Sequence, residues 1–426
     1  MRRRYRVLVS AYACEPGKGS EPGVGWNVVR ELAAFHDVWV LTRANNRPHI
    51  EAELQSRPVP HLHFAYFDLP DWTRRWKRGT WGTNLYYVLW QLAALRPAQQ
   101  LHRELHFDLV HHLTFNQFRT PSFGYFLNLP LVVGPIGGAE TVPWCLMRDL
   151  QWSTRLKESL RKLPLDGLVL KLRNPLFHAQ RFFVFSNAKT LRHVRRFLGP
   201  HEATVLPAIG VSPSEIGPLR STTPNSSPET RNMRLIYVGR PEDWKGVRLL
   251  LTAVHLANRQ LGNGHGIVLT LVGANRPAEH TRLNNLISQL GLTDKVQVIP
   301  FMKRSELLQL YSTVDLMAYP AFRDSGSMAV LEACAQGCPV ICFDTPGQDY
   351  LPQQALLRVS IAQTYEETLH NFVAALLHCY RSRMDLATIG ARAQDFVESE
   401  MTWSVKALKL STIYDKLMEG VSADEG

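Results

Sequence analysis

The sequence predicts an α/β protein made of two doubly wound, Rossmann-like domains facing each other across a cleft. Three observations predict it: a length of 426 residues, short β-branched runs alternating with helical patterns, and a mid-chain interruption after which the same rhythm restarts. One hydrophobic core rarely serves more than about 250–300 residues, so two domains of roughly 200 residues each follow. With 45% hydrophobic and 20% charged residues, each half can build a core, which excludes a disordered chain.

In the first half, residues 6–11 read as a strand, 26–35 as a helix and 37–42 as a second strand, the βαβ unit of a parallel sheet. Strands continue at 62–67, 109–112, 131–133 and 182–186. Between Ser212 and Met233 the composition shifts to Ser, Thr, Pro, Asn and Glu. The run Ser221-Thr222-Thr223-Pro224-Asn225-Ser226-Ser227-Pro228 buries too little apolar surface to order itself. The chain therefore divides into a first domain over 1–211, a linker over 212–233 and a second domain over 234–402. In the second, strands at 235–238, 268–272, 296–299, 316–318 and 340–343 and a helix at 247–259 repeat the pattern.

The formal net charge of +11 suits nucleic acid, anionic lipid or a polyphosphate ligand. No nucleic-acid module signature appears, and the basic residues are scattered or interleaved with aromatics. The opening Arg2-Arg3-Arg4 cluster is followed by too short an apolar run for a secretory segment, and no stretch of about 18 apolar residues exists to span a membrane. A cytoplasmic protein with free thiols is expected. Cys334, Cys338 and Cys342 recur every four residues, but Gly337 and Pro339 end any helix between them, so they do not form a metal-binding face.

Chemistry concentrates at the ends of two strands. After residues 235–238 come Gly239-Arg240-Pro241-Glu242-Asp243-Trp244-Lys245-Gly246, which set an Arg and a Lys where a diphosphate needs neutralising, Arg as a fork and Lys as a point charge. A pair of ordinary loop cations is the alternative. After Tyr319-Pro320 come Asp324-Ser325-Gly326-Ser327-Met328-Ala329-Val330-Leu331-Glu332. Here Ser327 to Val330 form a first helical turn with amides available to phosphate, and Glu332 can accept from ribose hydroxyls. The alternative is a capping Asp324 and an exposed helical Glu332.

These three elements together, Gly239-Arg240, Lys245-Gly246 and the acidic pair Asp324/Glu332 followed by Ala333-Cys334-Ala335-Gln336-Gly337-Cys338-Pro339, resemble family 4 of the retaining glycosyltransferases, the group 1 glycosyl transferases of GT-B fold. The resemblance implies a sugar-nucleotide-dependent transferase, with nucleotide-sugar as co-substrate and no required cofactor or metal. It assigns Arg240 and Lys245 to the diphosphate, Asp324 to the transferred sugar and Glu332 to the ribose. Gly239, Gly326, Ser327 and Met328 line the donor. Asp324 stands where the family more often has Glu, one methylene longer.

The resemblance reaches the first half more loosely. Pro16-Gly17-Lys18-Gly19-Ser20-Glu21-Pro22-Gly23-Val24-Gly25-Trp26 lacks the G-x-G-x-x-G spacing of dinucleotide sites but is similar to the family loop approaching donor phosphate and acceptor, with Gly19 on the donor and Glu21 on an acceptor hydroxyl. A tight turn is the alternative. The family carries a sugar-contacting histidine near His111-His112. Neighbours on a strand point to opposite faces, and His112 is taken as the inward one. Gly137 and Gly138 lie in a glycine-rich strand end that either lines the acceptor or is a structural loop. The segment from Trp403 through Tyr414, in a helix over about 403–420, resembles the terminal helix returning to the N-terminal domain, with Trp403 as a core anchor.

The expected acceptor is a glycan, a lipid-linked glycan or another hydroxyl compound, in cell-surface polysaccharide synthesis. Peripheral contact with an anionic membrane is expected of Trp72-Thr73-Arg74-Arg75-Trp76-Lys77-Arg78, Trp81 and the apolar stretch 85–95, unless that stretch is a core-facing helix. Rival readings are a phosphorylase, a non-catalytic sugar-nucleotide binder and a membrane scaffold.

Overall fold

The computed structural model describes residues 3–76, 79–115, 117–120, 122–162, 180–198, 201–218, 232–262 and 264–424. The strands are β1 (Arg6–Ser10), β2 (Asp37–Arg43), β3 (Leu62–Phe67), β4 (Leu109–His112), β5 (Leu131–Ile136), β6 (Arg181–Phe185), β7 (Glu202–Val205), β8 (Met233–Val238), β9 (Ile267–Val272), β10 (Val296–Ile299), β11 (Leu316–Tyr319), β12 (Val340–Phe343) and β13 (Leu357–Val359). The helices are α1 (Ser20–Leu32), α2 (Arg47–Ser56), α3 (Gly79–Ala93), α4 (Leu95–Leu105), α5 (Trp152–Arg161), α6 (Ala188–Leu198), α7 (Val247–Leu261), α8 (Pro277–Gln289), α9 (Arg304–Thr313), α10 (Met328–Ala335), α11 (Tyr365–Arg381), α12 (Arg383–Glu400) and α13 (Trp403–Asp424). None of them is long and apolar enough, among the described residues, to cross a membrane.

The chain forms two compact units. Unit 1 comprises Met1–Ala139, Pro164–Gly210 and Trp403–Gly426. Its parallel sheet runs β3-β2-β1-β4-β5-β6-β7. Strands β4, β5 and β6 are buried along their whole length, as expected of parallel strands covered on both faces. On one face α1 packs against α13, where Val24, Val28 and Val29 meet Trp403, Leu410 and Tyr414 in one cluster. On the other, Tyr86, Tyr87, Trp90 and Ala94 are in the core, so one face of the stretch 85–95 packs inward while Leu92 stays exposed. The side chains of Arg74, Trp76, Lys77, Arg78 and Trp81 lie outside the described residues.

Unit 2 comprises Glu140–Leu163 and Val211–Thr402, with a parallel sheet in the order β10-β9-β8-β11-β12-β13. Leu235 of β8 pairs with Leu316 of β11, so these strands end side by side. Strand order reverses there, and in doubly wound sheets the crevice outside the carboxyl ends at such a reversal receives ligands. Unit 1 has the corresponding reversal between β1 and β4.

Several boundaries differ from the sequence reading. Helix α1 begins at Ser20 rather than Trp26, because its glycines are required by packing: a Cβ at Gly25 would stand 2.1 Å from the Ala13 carbonyl oxygen, so the preceding loop lies directly on the helix. Pro22 falls in the first turn, where no donor is needed. The segment 140–163, read with the first domain, clusters with unit 2 through Val142, Leu146, Met147 and Leu150. Residues 212–217, read as linker, are tied to unit 2. The Gly217 amide donates to the Ala335 carbonyl at 2.9 Å, and Glu215 pairs with Arg304 at 2.8 Å. Residues 219–231, including the Ser221 to Pro228 run, lie outside the described residues. All six cysteines are free, with Cys334 on α10 and Cys342 on β12.

Candidate functional site

In unit 2 the loop leaving β8 carries Gly239, Arg240 and Lys245, and the loop leaving β11 carries Asp324 and Gly326 before α10. Gly246 holds the first loop against the second. It adopts φ +69°, and a Cβ there would stand 2.1 Å from the Pro320 carbonyl oxygen, while the Phe322 amide donates to the Trp244 carbonyl at 2.8 Å. This approach joins the two loops chemically.

The Lys245 ammonium donates to Asp324 Oδ2 at 3.0 Å and also to the Tyr319 hydroxyl. Tyr319 in turn donates to Asp324 Oδ2, and the amides of Ser325 and Gly326 donate to Oδ1 at 2.8 and 3.3 Å. Burial works against the Asp324 charge. Lys245, Tyr319 and the Ser325 amide outweigh it and hold the carboxyl below its usual range. Burial and the neighbouring Asp324 push the Tyr319 hydroxyl well up, so it stays a donor. Two of the three ammonium donors are thus engaged. Arg240 pairs with Glu242 at 2.9 Å and its side chain is half exposed.

The helix cap is Ser327, whose hydroxyl accepts from the Val330 amide, rather than Asp324, whose carboxylate is spent on Lys245 and its own turn. Met328 opens α10, so the first-turn amides point out of the helix end beside this ion pair. Glu332 is buried, not an exposed helical residue. Its carboxylate accepts from Arg304 of α9 at 2.7 Å, and Arg304 bridges it to Glu215 at 2.8 Å. Burial pushes the Glu332 carboxyl up to about 7, against the pull of Arg304 and with the added repulsion of Glu215.

Tyr319, Arg304 and Glu215 were not singled out from the sequence. Tyr319 read only as a strand end, and the other two lie far from the motif in the chain. Glu140 is a further addition to this site: its Oε2 accepts from the Ser325 hydroxyl at 3.0 Å, next to Asp324. No cluster of metal-ligating side chains occurs among the described residues.

In unit 1, Gly19 caps α1 with no protein atom within 4 Å of where a Cβ would stand. Glu21, in the first turn, accepts from the Phe115 amide at 2.6 Å and so ties the loop after β4 to α1. Gly137 bridges to Gln117, and Gly138 lies beside the Phe118 ring. His112 is buried, with Nε2 3.1 Å from the Tyr87 hydroxyl and Nδ1 3.2 Å from the Ser10 hydroxyl. His111 faces the opposite way, with Nε2 donating to the Gly134 carbonyl at 2.9 Å and Nδ1 2.6 Å from the Tyr414 hydroxyl of α13. Burial drives His111 down to about 4, although the Gly134 carbonyl pulls the other way. A sugar contacting either ring nitrogen of His112 has to displace a hydroxyl.

Residues 221–393, which include Arg240, Lys245, Asp324 and Glu332, match the family described as glycosyl transferases group 1. A stretch of 125 residues is 33% identical to a D-inositol 3-phosphate glycosyltransferase of Mycolicibacterium vanbaalenii, covering 27% of each protein. The chain spans between 24% and 45% of the length of the curated relatives it matches. Sucrose-phosphate synthase from Thermosynechococcus elongatus aligns over 98% of this chain and 100% of its own, with TM-score 0.65 and 16% identity. HepE of Anabaena, solved in complex with UDP and glucose, aligns over 97% and 100%, with TM-score 0.61 and 16% identity. At such identity the likeness is one of fold, two Rossmann-like units of GT-B type. The match identifies residues 221–393 as a glycosyl transferases group 1 segment.

Proposed function

We propose that this chain is a retaining glycosyltransferase that moves a sugar from a nucleotide-sugar donor to a hydroxyl of a glycan or lipid-linked glycan, in cell-surface polysaccharide synthesis at the inner face of a membrane. The observation that carries the reading is the Lys245–Asp324 pair, held at the adjacent carboxyl ends of β8 and β11 beside the first turn of α10. The family match to residues 221–393 supports the reaction class, and the UDP bound by the Anabaena neighbour supports a nucleoside diphosphate donor. The net charge of +11 favours polyphosphate and anionic ligands.

On this reading Arg240, the remaining Lys245 donor and the first-turn amides of α10 take up the charge that develops on the diphosphate as the sugar leaves. Glu332 accepts the ribose hydroxyls. Asp324, already anchored on one oxygen by Lys245 and on the other by two amides, is a rigid acceptor for hydroxyls of the transferred sugar. The leaving diphosphate takes the proton of the incoming hydroxyl on the same face, which retains the anomeric configuration without a protein nucleophile. Gly19, Glu21, His112, Gly137 and Gly138, at and after the ends of β1, β4 and β5 in unit 1, are assigned to donor, sugar and acceptor contacts as the family resemblance has them.

The test is a panel of sugar nucleotides screened by thermal shift, then incubated with candidate acceptors and read by product mass and anomeric NMR. A product heavier by one sugar with the donor configuration supports the reading. Binding without transfer favours a non-catalytic binder, and inversion contradicts the mechanism.

A further inference from the structure

Helix α5 is built the wrong way round for a soluble surface helix. Trp152, Leu156 and Leu160 recur every four residues and therefore share one face. They are 79%, 54% and 56% exposed. Its buried residue is instead Glu158, whose carboxylate accepts from Arg323 at 3.0 Å and lies 3.5 Å from Arg161. Trp144, 69% exposed, extends the apolar stripe at the helix end, where the Lys162 ammonium sits 3.6 Å above its ring. Monomeric proteins rarely leave such a group of large apolar side chains in water.

The exposed charges of the helix itself have one sign. Arg155 and Lys157 are exposed, while Glu158, the helix's single acidic residue, is neutralised on the buried side by Arg323 and Arg161. Arg155 is held in place by the carbonyls of Met147 and Arg148, both at 3.0 Å. An apolar face rimmed by cations, with tryptophans at both ends, fits the headgroup boundary of an anionic bilayer, where aromatic rings sit at the interface and cations meet lipid phosphates.

We propose that α5 and Trp144 form a membrane-docking surface that lies flat on anionic lipid. The surface belongs to the same unit as the donor loops and is joined to them. Glu158 grips Arg323, the residue before Asp324, and Glu140, at the start of the same segment, holds Ser325 after it. Lipid contact therefore acts on the backbone that positions Asp324. The inference goes beyond the proposed reaction and does not depend on it.

Flotation with vesicles of phosphatidylcholine, with and without phosphatidylglycerol, tests it in the absence of any sugar nucleotide, so its failure leaves the donor reading standing. Wild type is expected to float with the anionic vesicles at low salt and to release as salt rises. The variant Trp152→Ser/Leu156→Ser/Leu160→Ser, which changes only exposed side chains, is expected to keep the wild-type thermal unfolding and lose at least about tenfold in partition. Lys157→Glu is expected to lose more than the roughly fivefold worth of one cation, since it also adds an opposing charge. The proposal is overturned if wild type stays unbound, or if the triple variant floats like wild type, which puts the contact elsewhere on the chain. It is also overturned if wild type is a dimer that the triple variant dissolves while vesicle binding is unaltered, which makes the stripe a seat for a second copy.

Discussion

Replacing Lys245 with Met removes the cation on which both the stability of the β11 loop and the proposed donor contact depend. Lys245 is 21% and Asp324 13% exposed in their side chains, so the pair is mostly but not wholly desolvated. Removing one partner of a fully buried pair costs about 3–5 kcal/mol. Here Asp324 keeps Tyr319 and two backbone amides, which lowers the expected loss to about 2 kcal/mol. The pH dependence gives a second readout. The folded-state pKa of Asp324 is depressed, so its contribution is present above the unfolded value and disappears as pH falls through the folded one. In Lys245→Met that depression shrinks, so the acid-side loss, which sets in near the unfolded value in both proteins, becomes smaller and ends at higher pH. The assay is urea unfolding, from pH 3 to 8, of wild type, Lys245→Met, Asp324→Asn and the double variant. A coupling of about 1–2 kcal/mol at pH 7 is expected between the two sites. Additive effects with an unchanged acid limb would refute the reasoning.

Three further outcomes follow from the geometry. Glu332 is pushed up to about 7 in the folded chain against 4.5 as its ordinary value, so its contribution is full below the lower value and is lost as pH rises to the upper one, roughly 3 kcal/mol in all. Glu332→Gln should flatten that limb in urea unfolding, and calorimetry should show donor affinity improving from pH 6 to 8 in wild type but not in the variant. Gly246→Ala introduces a Cβ 2.1 Å from a carbonyl oxygen at positive φ and should cost about 1–3 kcal/mol, read as a lowered unfolding temperature. His111, held neutral down to about 4, contributes stability above its ordinary 6.5 that is lost as pH falls between these values, so His111→Gln should flatten that limb in acid unfolding.

What the sequence made legible was whatever depends on local pattern. Strand β12 has the predicted bounds because its continuous apolar run, Val340 to Phe343, marks a buried parallel strand, and β4 and β10 have them because their short β-branched segments stand between polar breaks. Strand β7, with Glu202 and Val205 turned to solvent, carries no such run, and β13 has only three residues, so neither was legible. Long-range packing was equally hidden. Gly23 and Gly25 read as part of a glycine-rich loop, whereas they lie inside α1 under the backbone of Ala13 and Lys18. The segment 140–163 gives no sign in its composition that it packs on unit 2.

The site divides in the same way. Arg240, Lys245 and Asp324 stood out by spacing and were brought to one sheet reversal, since a strand-end loop must emerge where its strand ends. The environment of each was not legible. That Asp324 is clamped by Tyr319, that Arg304 covers Glu332 and that His112 has both ring nitrogens beside hydroxyls are facts of side-chain packing across distant elements.

The central claim is that the loops leaving β8 and β11 hold a nucleoside diphosphate sugar, and the most direct measurement is calorimetric titration of wild type and Glu332→Ala. The titrant is the sugar nucleotide that stabilises wild type most in the thermal-shift panel. The account predicts one site per chain in wild type and an affinity at least about tenfold weaker in the variant, the loss of one charge-assisted hydrogen bond or more, with unchanged folding. Saturable binding of equal affinity in both proteins would contradict it, as would a wild type that binds no sugar nucleotide in the panel.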